Sequence, residues 1–364
     1  MASDNSTGIK STKEEFDKFK NIQLPRQVAV GKDALEKVGT TCDDLKLSSN
    51  AMIICDPTTK KIAGNRVKEI LEDIDYSIDI TEINEANQDT IDEVVDEAGD
   101  NFDFFLGVGG GRSIDVAKYS SHLLNIPFIS VPTASSHDGI ASGRASIERN
   151  GDKISVPAQT PLAVVADTGI IANSPPRLTA AGCGDIISNS TAVLDWKLAK
   201  RLRAEPYSHY AANLSKLTGD LLIKNADSIK PGLQESAWLV VKALVSSSVA
   251  MSIAGSSRPA SGSEHKFSHA LDRLVDKPAL HGEQCGVGTI IMMYLHGGDW
   301  KKIKNTLQAV GAPTTARGLE LSEEQVVDAL VHAPEIRPER YTILGSRKMN
   351  RDAAEEAARE TGVI

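Results

Sequence analysis

In SGSEHKFSHALD, beginning at Ser261, His265 and His269 stand four residues apart, and PALHGEQ places His281 twelve residues further on. Three of the chain's eight histidines thus fall in one short segment. On a helix, residues i and i+4 share a face, so His265 and His269 would present both imidazoles to one point, a metal-ligating arrangement, with Phe267 and Leu271 off that face. The alternative is a pair packed in a core. A helix starting near Gly282 would expose the His281 imidazole at its amino end. A carboxylate is available in AAGCGDIISN (180–189), where Asp185 falls inside a helical pattern next to Gly182 and Gly184. Glycine in a helix interior costs about 1 kcal/mol relative to alanine. Gly182 and Gly184 therefore ask for a reason, and close approach of a ligand is one.

A second constellation is DFFLGVGGGRSIDVAK, which runs strand, glycines, helix start. Such a segment offers free backbone N–H groups and a positive helix end to an anion, so a phosphate suits it; the alternative is a tight turn. It is neither the usual dinucleotide fingerprint, since Arg112 stands at the third glycine position, nor a Walker A loop. Arg112 reads equally as a phosphate-binding charge and as a solvated helix-start residue. Ser113 and Asp115 both suit a first helical turn. Asp56 ends the strand AMIICD, where it either accepts hydrogen bonds from an adenosine ribose, favouring NAD over NADP, or serves as a turn residue before Pro57. PTASSHDG (132–139) gathers Thr133, Ser135, Ser136, His137 and Asp138 in a loop that follows another strand. Ligands bind in loops at the carboxyl ends of parallel strands.

The elements that must position these residues change character along the chain. AMIICD, SIDITEI, DFFLGVG, NIPFISVP and LAVVAD are β-rich runs that alternate with amphipathic helical stretches such as TTKKIAGNRVKEILEDI, which predicts βαβ units and a parallel sheet. Asn150-Gly151 between two short alternating runs predicts a type I′ hairpin. From Ser174-Pro175-Pro176 onward helical periodicity takes over, with Ser174 expected as an N-cap and Pro175 as the first helical residue. The expectation is an α/β nucleotide-binding domain over residues 1–172, its first twenty residues a frayed tail, and an all-α domain over 173–364, with the site in the cleft between them. AWLVVKALVSSSVAMSIAG (237–255) carries Lys242 and four serines and reads as a buried helix rather than a membrane span.

Forty basic residues against forty-nine acidic leave a net charge of −9, which argues against nucleic acid or an anionic membrane as partner. An anionic substrate would need a local cluster of cations. Cys42, Cys55, Cys183 and Cys285 form no CxxC pair, the amino terminus lacks an apolar signal region, and a reducing cytoplasm is expected.

Taken in order, LGVGGGRSIDVAK, VPTASSHDGIASGRASI, PLAVVADTGII, AAGCGDIISN, SGSEHKFSHALD and ALHGEQCGVG resemble the iron-containing or polyol dehydrogenase superfamily, and within it the archaeal-type sn-glycerol-1-phosphate dehydrogenases. The resemblance runs from LPRQVAVG at Leu24 through the carboxyl-terminal helices. It implies a Rossmann-like amino-terminal domain, a helical carboxyl-terminal domain, a nicotinamide cofactor, NAD(H) or NADP(H), and one divalent ion, usually Zn²⁺. It implies Asp185, His265 and His281 as metal ligands; Asn189 stands where other superfamily members carry a further histidine. Cofactor contacts are implied for Gly110, Gly111, Arg112, Ser113, Ile114 and Asp115, for Thr133, Ala134, Ser135 and Ser136, and for Ser142. Asp138, Asp185 and His269 are implied at the substrate. The implied reaction is reversible reduction of dihydroxyacetone phosphate to sn-glycerol 1-phosphate for ether-lipid backbones, with His269 or a water held by Asp138 as proton donor. Arg144, Lys153, Arg258 and Lys266 are the candidates for the substrate phosphate, and Lys153 is chosen among them. The competing readings are a glycerol dehydrogenase acting on unphosphorylated polyols, a 3-dehydroquinate synthase, whose metal carboxylate is glutamate where this chain has Asp185, and a non-enzymatic metal-stabilised scaffold. Self-association into a homo-oligomer is expected.

Overall fold

The computed structural model describes residues 21–364, so the tail expected over residues 1–20 lies outside the described residues. Strands β1 (Gln27–Gly31), β2 (Asn50–Cys55), β3 (Ser77–Glu82), β4 (Phe104–Gly109), β5 (Phe128–Pro132) and, after the hairpin β6 (Arg144–Arg149) and β7 (Asp152–Pro157), β8 (Ala163–Asp167) carry the α/β half. Apart from β6 and β7 they form one sheet in the order β1-β8-β5-β4-β2-β3, every pairing parallel. Every residue of β4 and β8 is buried, as expected for strands covered by helices on both faces. Strand β1, which the sequence pattern did not reveal, is five residues long, half-buried, and adds to the sheet edge by pairing Gln27 with Ala163.

The hairpin is as expected: Asn150 and Gly151 take φ of 55° and 80°, the two positive values of a type I′ turn. Crossovers are α1 (Val38–Asp44), α2 (Pro57–Thr59), α3 (Asn65–Glu72), α4 (Gln88–Ala98) and α5 (Gly111–Leu124). The stretch expected as one helix after Asp56 is instead α2, a π-helical turn over Lys60–Gly64, and α3. Because β3 lies on one side of β2, and β4 and β5 on the other, the chain leaves β2 and β4 in opposite directions. Their carboxyl ends therefore flank a crevice, the switch point where ligands bind in open parallel sheets.

From Thr168 on the chain is helical: α6 (Thr168–Ala172), α7 (Pro176–Arg203), α8 (His209–Asn225), α9 (Gln234–Ala254), α10 (Ser263–Leu274), α11 (His281–Leu295), α12 (Trp300–Ala309), α13 (Glu323–His332) and α14 (Arg351–Glu360). The start of α7 falls one residue later than expected, with Pro175 as the cap and Pro176 first in the helix. Ser174 Oγ donates to Ile171 O at 2.7 Å, closing the end of α6 instead of capping α7. Helix α9 is long and apolar enough to cross a membrane by length and composition, and it packs against α6, α7 and α8. One apolar cluster continues from Met52 and Phe105 in the sheet to Val240 in α9 and Leu330 in α13, which fixes the crevice against the helical wall.

Candidate active site

The crevice opens into a cleft of about 1070 Å³ between the sheet's carboxyl edge and the helices. At its sheet wall, Gly110 caps α5 without a side chain, leaving first-turn amides open to an anion. Of the residues expected at the cofactor, Asp56, Gly110, Gly111, Arg112, Asp115, Thr133, Ala134, Ser136 and Ser142 line the cleft.

Three of the expected contacts are not brought to the cleft surface. Ser113, Ile114 and Ser135 are fully buried. Ile114 belongs to the apolar cluster, and Ser135 Oγ donates to Thr179 Oγ1 at 3.4 Å. The cause is helical geometry: successive residues of α5 face different directions, so a run of adjacent contacts cannot all present side chains. Asp115 reaches the cleft with both oxygens engaged, Oδ1 accepting from Lys118 Nζ at 2.9 Å and Oδ2 from Ser146 N at 3.0 Å. It braces α5 against β6. Lys118, fully buried, also donates to Gly139 O and Arg144 O, each at 2.7 Å, a structural role that the sequence reading missed although the i,i+3 spacing from Asp115 signalled it. Asp56 Oδ1 accepts from Thr58 N and Thr59 N at 2.8 and 2.9 Å, so it is the N-cap of α2 as well as a cleft residue. Arg112 Nη1 donates to Asn84 O at 2.6 Å, tying the loop after β3 to the glycine segment.

Three helices bring the other constellation together. Asp185 lies in α7, His265 in α10 and His281 at the start of α11. Helices α7 and α11 approach closely at paired glycines: a β-carbon at Gly184 would sit 2.2 Å from Gly282 O, and one at Gly282 would sit 1.9 Å from Ala181 O. Each glycine adjoins a candidate ligand. His265 Nε2 and His281 Nε2 stand 3.6 and 3.9 Å from Asp185 Oδ1. These separations are long for hydrogen bonds but near the ~3.4 Å between ligand atoms around a tetrahedral ion bound at about 2.0–2.1 Å.

The remaining ligand atoms are held from behind, as in metal sites generally. His265 Nδ1 lies 3.0 Å from Glu264 Oε1, and Glu264 Oε2 accepts from Thr191 Oγ1 at 2.7 Å. His281 Nδ1 lies 3.1 Å from Ser268 Oγ, and Asp185 Oδ2 accepts from Asp138 N at 2.9 Å. Burial, with the Asp138 carboxylate beside it, pushes Asp185 up to about 7, while burial and the nearby charge of His265 hold His281 well below the usual imidazole range. A divalent cation between them resolves both: it favours the carboxylate and takes the lone pair of a neutral imidazole. The donor set fits such an ion.

Cys285, four residues after His281, belongs to the same group of side chains, whose ligand atoms lie within 4.8 Å of one another. Sequence reasoning missed it. Burial pushes its thiol up to about 11. Asn189 Nδ2 donates to Ser247 Oγ at 3.2 Å, and Ser247 Oγ donates to Asp138 Oδ2 at 3.1 Å, which steadies the Asp138 side chain.

His269 lines the cleft one turn beyond His265, its ring 5.6 Å from that of His281 and its Nδ1 3.5 Å from Asp272 Oδ2. Burial, partly offset by Asp272, lowers it to about 4, so its imidazole is neutral. Of the four cations considered for the substrate phosphate, Arg144 and Lys153 line the cleft. Arg258 is instead paired with Glu205, and Lys266 is buried with only 2% of its surface exposed.

The family described as iron-containing alcohol dehydrogenase matches residues 29–175. The glycerol-1-phosphate dehydrogenase [NAD(P)+] of Methanosarcina acetivorans is 58% identical over 94% of this chain and 96% of its own length. That of Methanosphaera stadtmanae is 55% identical over 95% and 99%. Among solved structures, a glycerol dehydrogenase from Schizosaccharomyces pombe superposes with a TM-score of 0.78 at 20% identity, covering 94% of this chain and 90% of that one. A sulfoacetaldehyde reductase from Bifidobacterium kashiwanohense in complex with NAD+ gives 0.74 at 14% identity over 94% and 99%. These two share the fold, a parallel-sheet half followed by a helical half. The relatives, matched along almost their whole length, decide the rest: the chain belongs to the glycerol-1-phosphate dehydrogenases of the iron-containing alcohol dehydrogenase family.

Proposed function

We propose that this chain catalyses the NAD(P)H-dependent, reversible reduction of dihydroxyacetone phosphate to sn-glycerol 1-phosphate, supplying a backbone for ether lipids. The observation that carries the reading is the convergence of Asp185, His265 and His281 in a cleft whose opposite wall is an anion-receptive glycine segment. When bound, the nicotinamide supplies a hydride and the divalent ion, Zn²⁺ in this reading, supplies Lewis-acid stabilisation of developing charge on the carbonyl oxygen.

In this reading Asp185, His265 and His281 hold the ion and do not move protons. Asp138, whose carboxylate receives the Ser247 hydroxyl, and His269 flank the substrate. Asp272 faces His269 Nδ1 and favours the tautomer with its proton there; Nε2 takes the hydroxyl proton in oxidation, and in reduction the ring first takes up a proton from solvent at Nε2, which it then passes to the substrate oxygen. Gly110, Gly111 and the loop from Thr133 to Ser136 cradle the cofactor phosphates, with Ser142 beside them and Asp56 at the ribose. Ser113, Ile114 and Asp115 contribute through backbone and bracing, and Lys153 meets the substrate phosphate from the hairpin.

The same proposal divides the chain into a nucleotide-binding unit over 1–172 and a helical unit over 173–364, and places it in the cytoplasm as a homo-oligomer. In support of a reducing compartment, all four cysteines are free. The reading is tested by following NADH and NADPH oxidation by zinc-loaded protein with dihydroxyacetone phosphate and with dihydroxyacetone, and by chiral analysis of the product. Preference for the unphosphorylated ketone would replace it with a polyol dehydrogenase, and the opposite enantiomer would overturn the product assignment.

A further inference from the structure

The loop between α13 and α14 carries Arg337, Arg340 and Tyr341 toward α10 and the hairpin. Four arginines gather there, Arg144, Arg258, Arg337 and Arg340, and burial together with the charges of the other three lowers Arg340 to about 9. Three of the four have fixed partners. Arg258 is paired with Glu205 and donates to Tyr341 O at 2.9 Å. Arg340 donates to Ser261 O at 2.7 Å and to Ser257 Oγ at 2.9 Å. Arg144 donates to Ser155 Oγ at 2.8 Å and to Ser155 O at 2.6 Å.

Arg337 differs. Its guanidinium has no hydrogen-bond or ion-pair partner among the described residues, although the residue is half-buried and lines the cleft with His265 and His269. Its φ of 49° is in the left-handed region, where a side chain is disfavoured and glycine is the relaxed choice. A strained backbone thus holds an unpaired, desolvated guanidinium beside Arg144, in a chain of net charge −9. Lys153, on β7, also lines the cleft and has no side-chain partner among the described residues either. The charges of Arg337 and Arg144 repel one another, and an anion with several oxygens relieves that repulsion while filling the free N–H positions of the Arg337 fork.

Resting on the reading proposed above, we infer that Arg337, with Arg144 and Lys153 beside it, forms the pocket for the substrate's phosphoryl group, and that Arg337 is the residue that separates phosphorylated from free three-carbon ketones. The pocket adjoins His269, so a phosphoryl group held there leaves the carbonyl carbon of a short substrate near the Asp185, His265 and His281 group. Sequence reasoning passed over Arg337 because nothing local in PEIRPER marks it.

The test uses full-length, zinc-loaded protein with Arg337→Gly, which removes the guanidinium and relaxes the backbone, and with Arg337→Lys. The ratio of kcat/KM for dihydroxyacetone phosphate over dihydroxyacetone falls about 10- to 100-fold in Arg337→Gly, as loss of charge-assisted hydrogen bonds implies, and is partly restored in Arg337→Lys. Titration of inorganic phosphate into the zinc-loaded protein, followed by calorimetry, shows correspondingly weaker binding to Arg337→Gly. An unchanged ratio, or a phosphate affinity indifferent to Arg337→Gly as expected for an anion held by the metal alone, overturns the inference. If the wild type binds phosphate through Arg337 yet does not reduce dihydroxyacetone phosphate, the anion pocket stands and the substrate reading falls.

Discussion

Replacing Gly282 with alanine tests whether the close crossing of α7 and α11 builds the metal site. The new β-carbon would lie 1.9 Å from Ala181 O, a backbone atom that cannot rotate away. A carbon–oxygen contact needs about 3.2 Å, so the helices must part by roughly 1.3 Å, with overpacking that costs about 1–3 kcal/mol. His281, next in the chain, is 3.9 Å from Asp185 Oδ1, and metal sites tolerate ligand displacements of only about 0.2 Å. Zinc affinity should therefore fall about 100-fold, or about 2.7 kcal/mol. Gly286→Ala, one turn further along α11, is the control: its β-carbon meets the branched end of Leu307 at 3.0 Å, which can shift, and alanine adds helix propensity of about 1 kcal/mol. Competition with a chromophoric chelator measures both variants. Wild-type zinc affinity in Gly282→Ala, or an equal loss in Gly286→Ala, would refute the argument.

Stripping the metal with a chelator should abolish reduction of dihydroxyacetone phosphate and lower Tm, because it leaves Asp185 buried beside Asp138 without a compensating cation; unchanged Tm on thermal denaturation would count against a metal at this group. Asp56→Asn keeps an acceptor for Thr58 N and Thr59 N and so keeps the α2 cap, while removing the charge that repels a 2′-phosphate. It should shift the kcat/KM ratio toward NADPH by about tenfold with Tm within a degree or two of wild type, and a fixed ratio would show that Asp56 does not face the ribose. His269→Ala should lower kcat by about 10²–10⁴-fold with zinc content unchanged; turnover near wild type would remove His269 from proton transfer.

Much of this site was legible because its parts are local. The HxxxH spacing, the glycine run after a buried strand and the Asn150-Gly151 turn each announce their geometry within a few residues, and the structure has α10, α5 and the β6–β7 hairpin there. The assignment of Asp185 and His281 to one point drew on the family resemblance, since α7 and α11 are separated by three intervening helices in the chain. What could not be read depended on tertiary direction. Adjacent residues Ser113, Ile114 and Asp115 were grouped as contacts, yet the first two turn their side chains to the interior and only Asp115 reaches the cleft. Arg337, unmarked by any motif, reaches the cleft only because a distant loop folds back over it. Strand β1 was missed because a short edge strand owes its existence to its neighbour rather than to its own pattern.

The pairing of β1 with β8 also dictates how the chain must be made. Gln27 finds its sheet partner only at Ala163, so β1 leaves the ribosome long before β8, the strand it pairs with. Throughout that interval the nascent chain carries an unpaired edge, and the parallel sheet closes late and through distant contacts. Exposure to aggregation therefore begins before the last helices exist, at a stage when chaperone protection, not the stability of the finished enzyme, guards the chain.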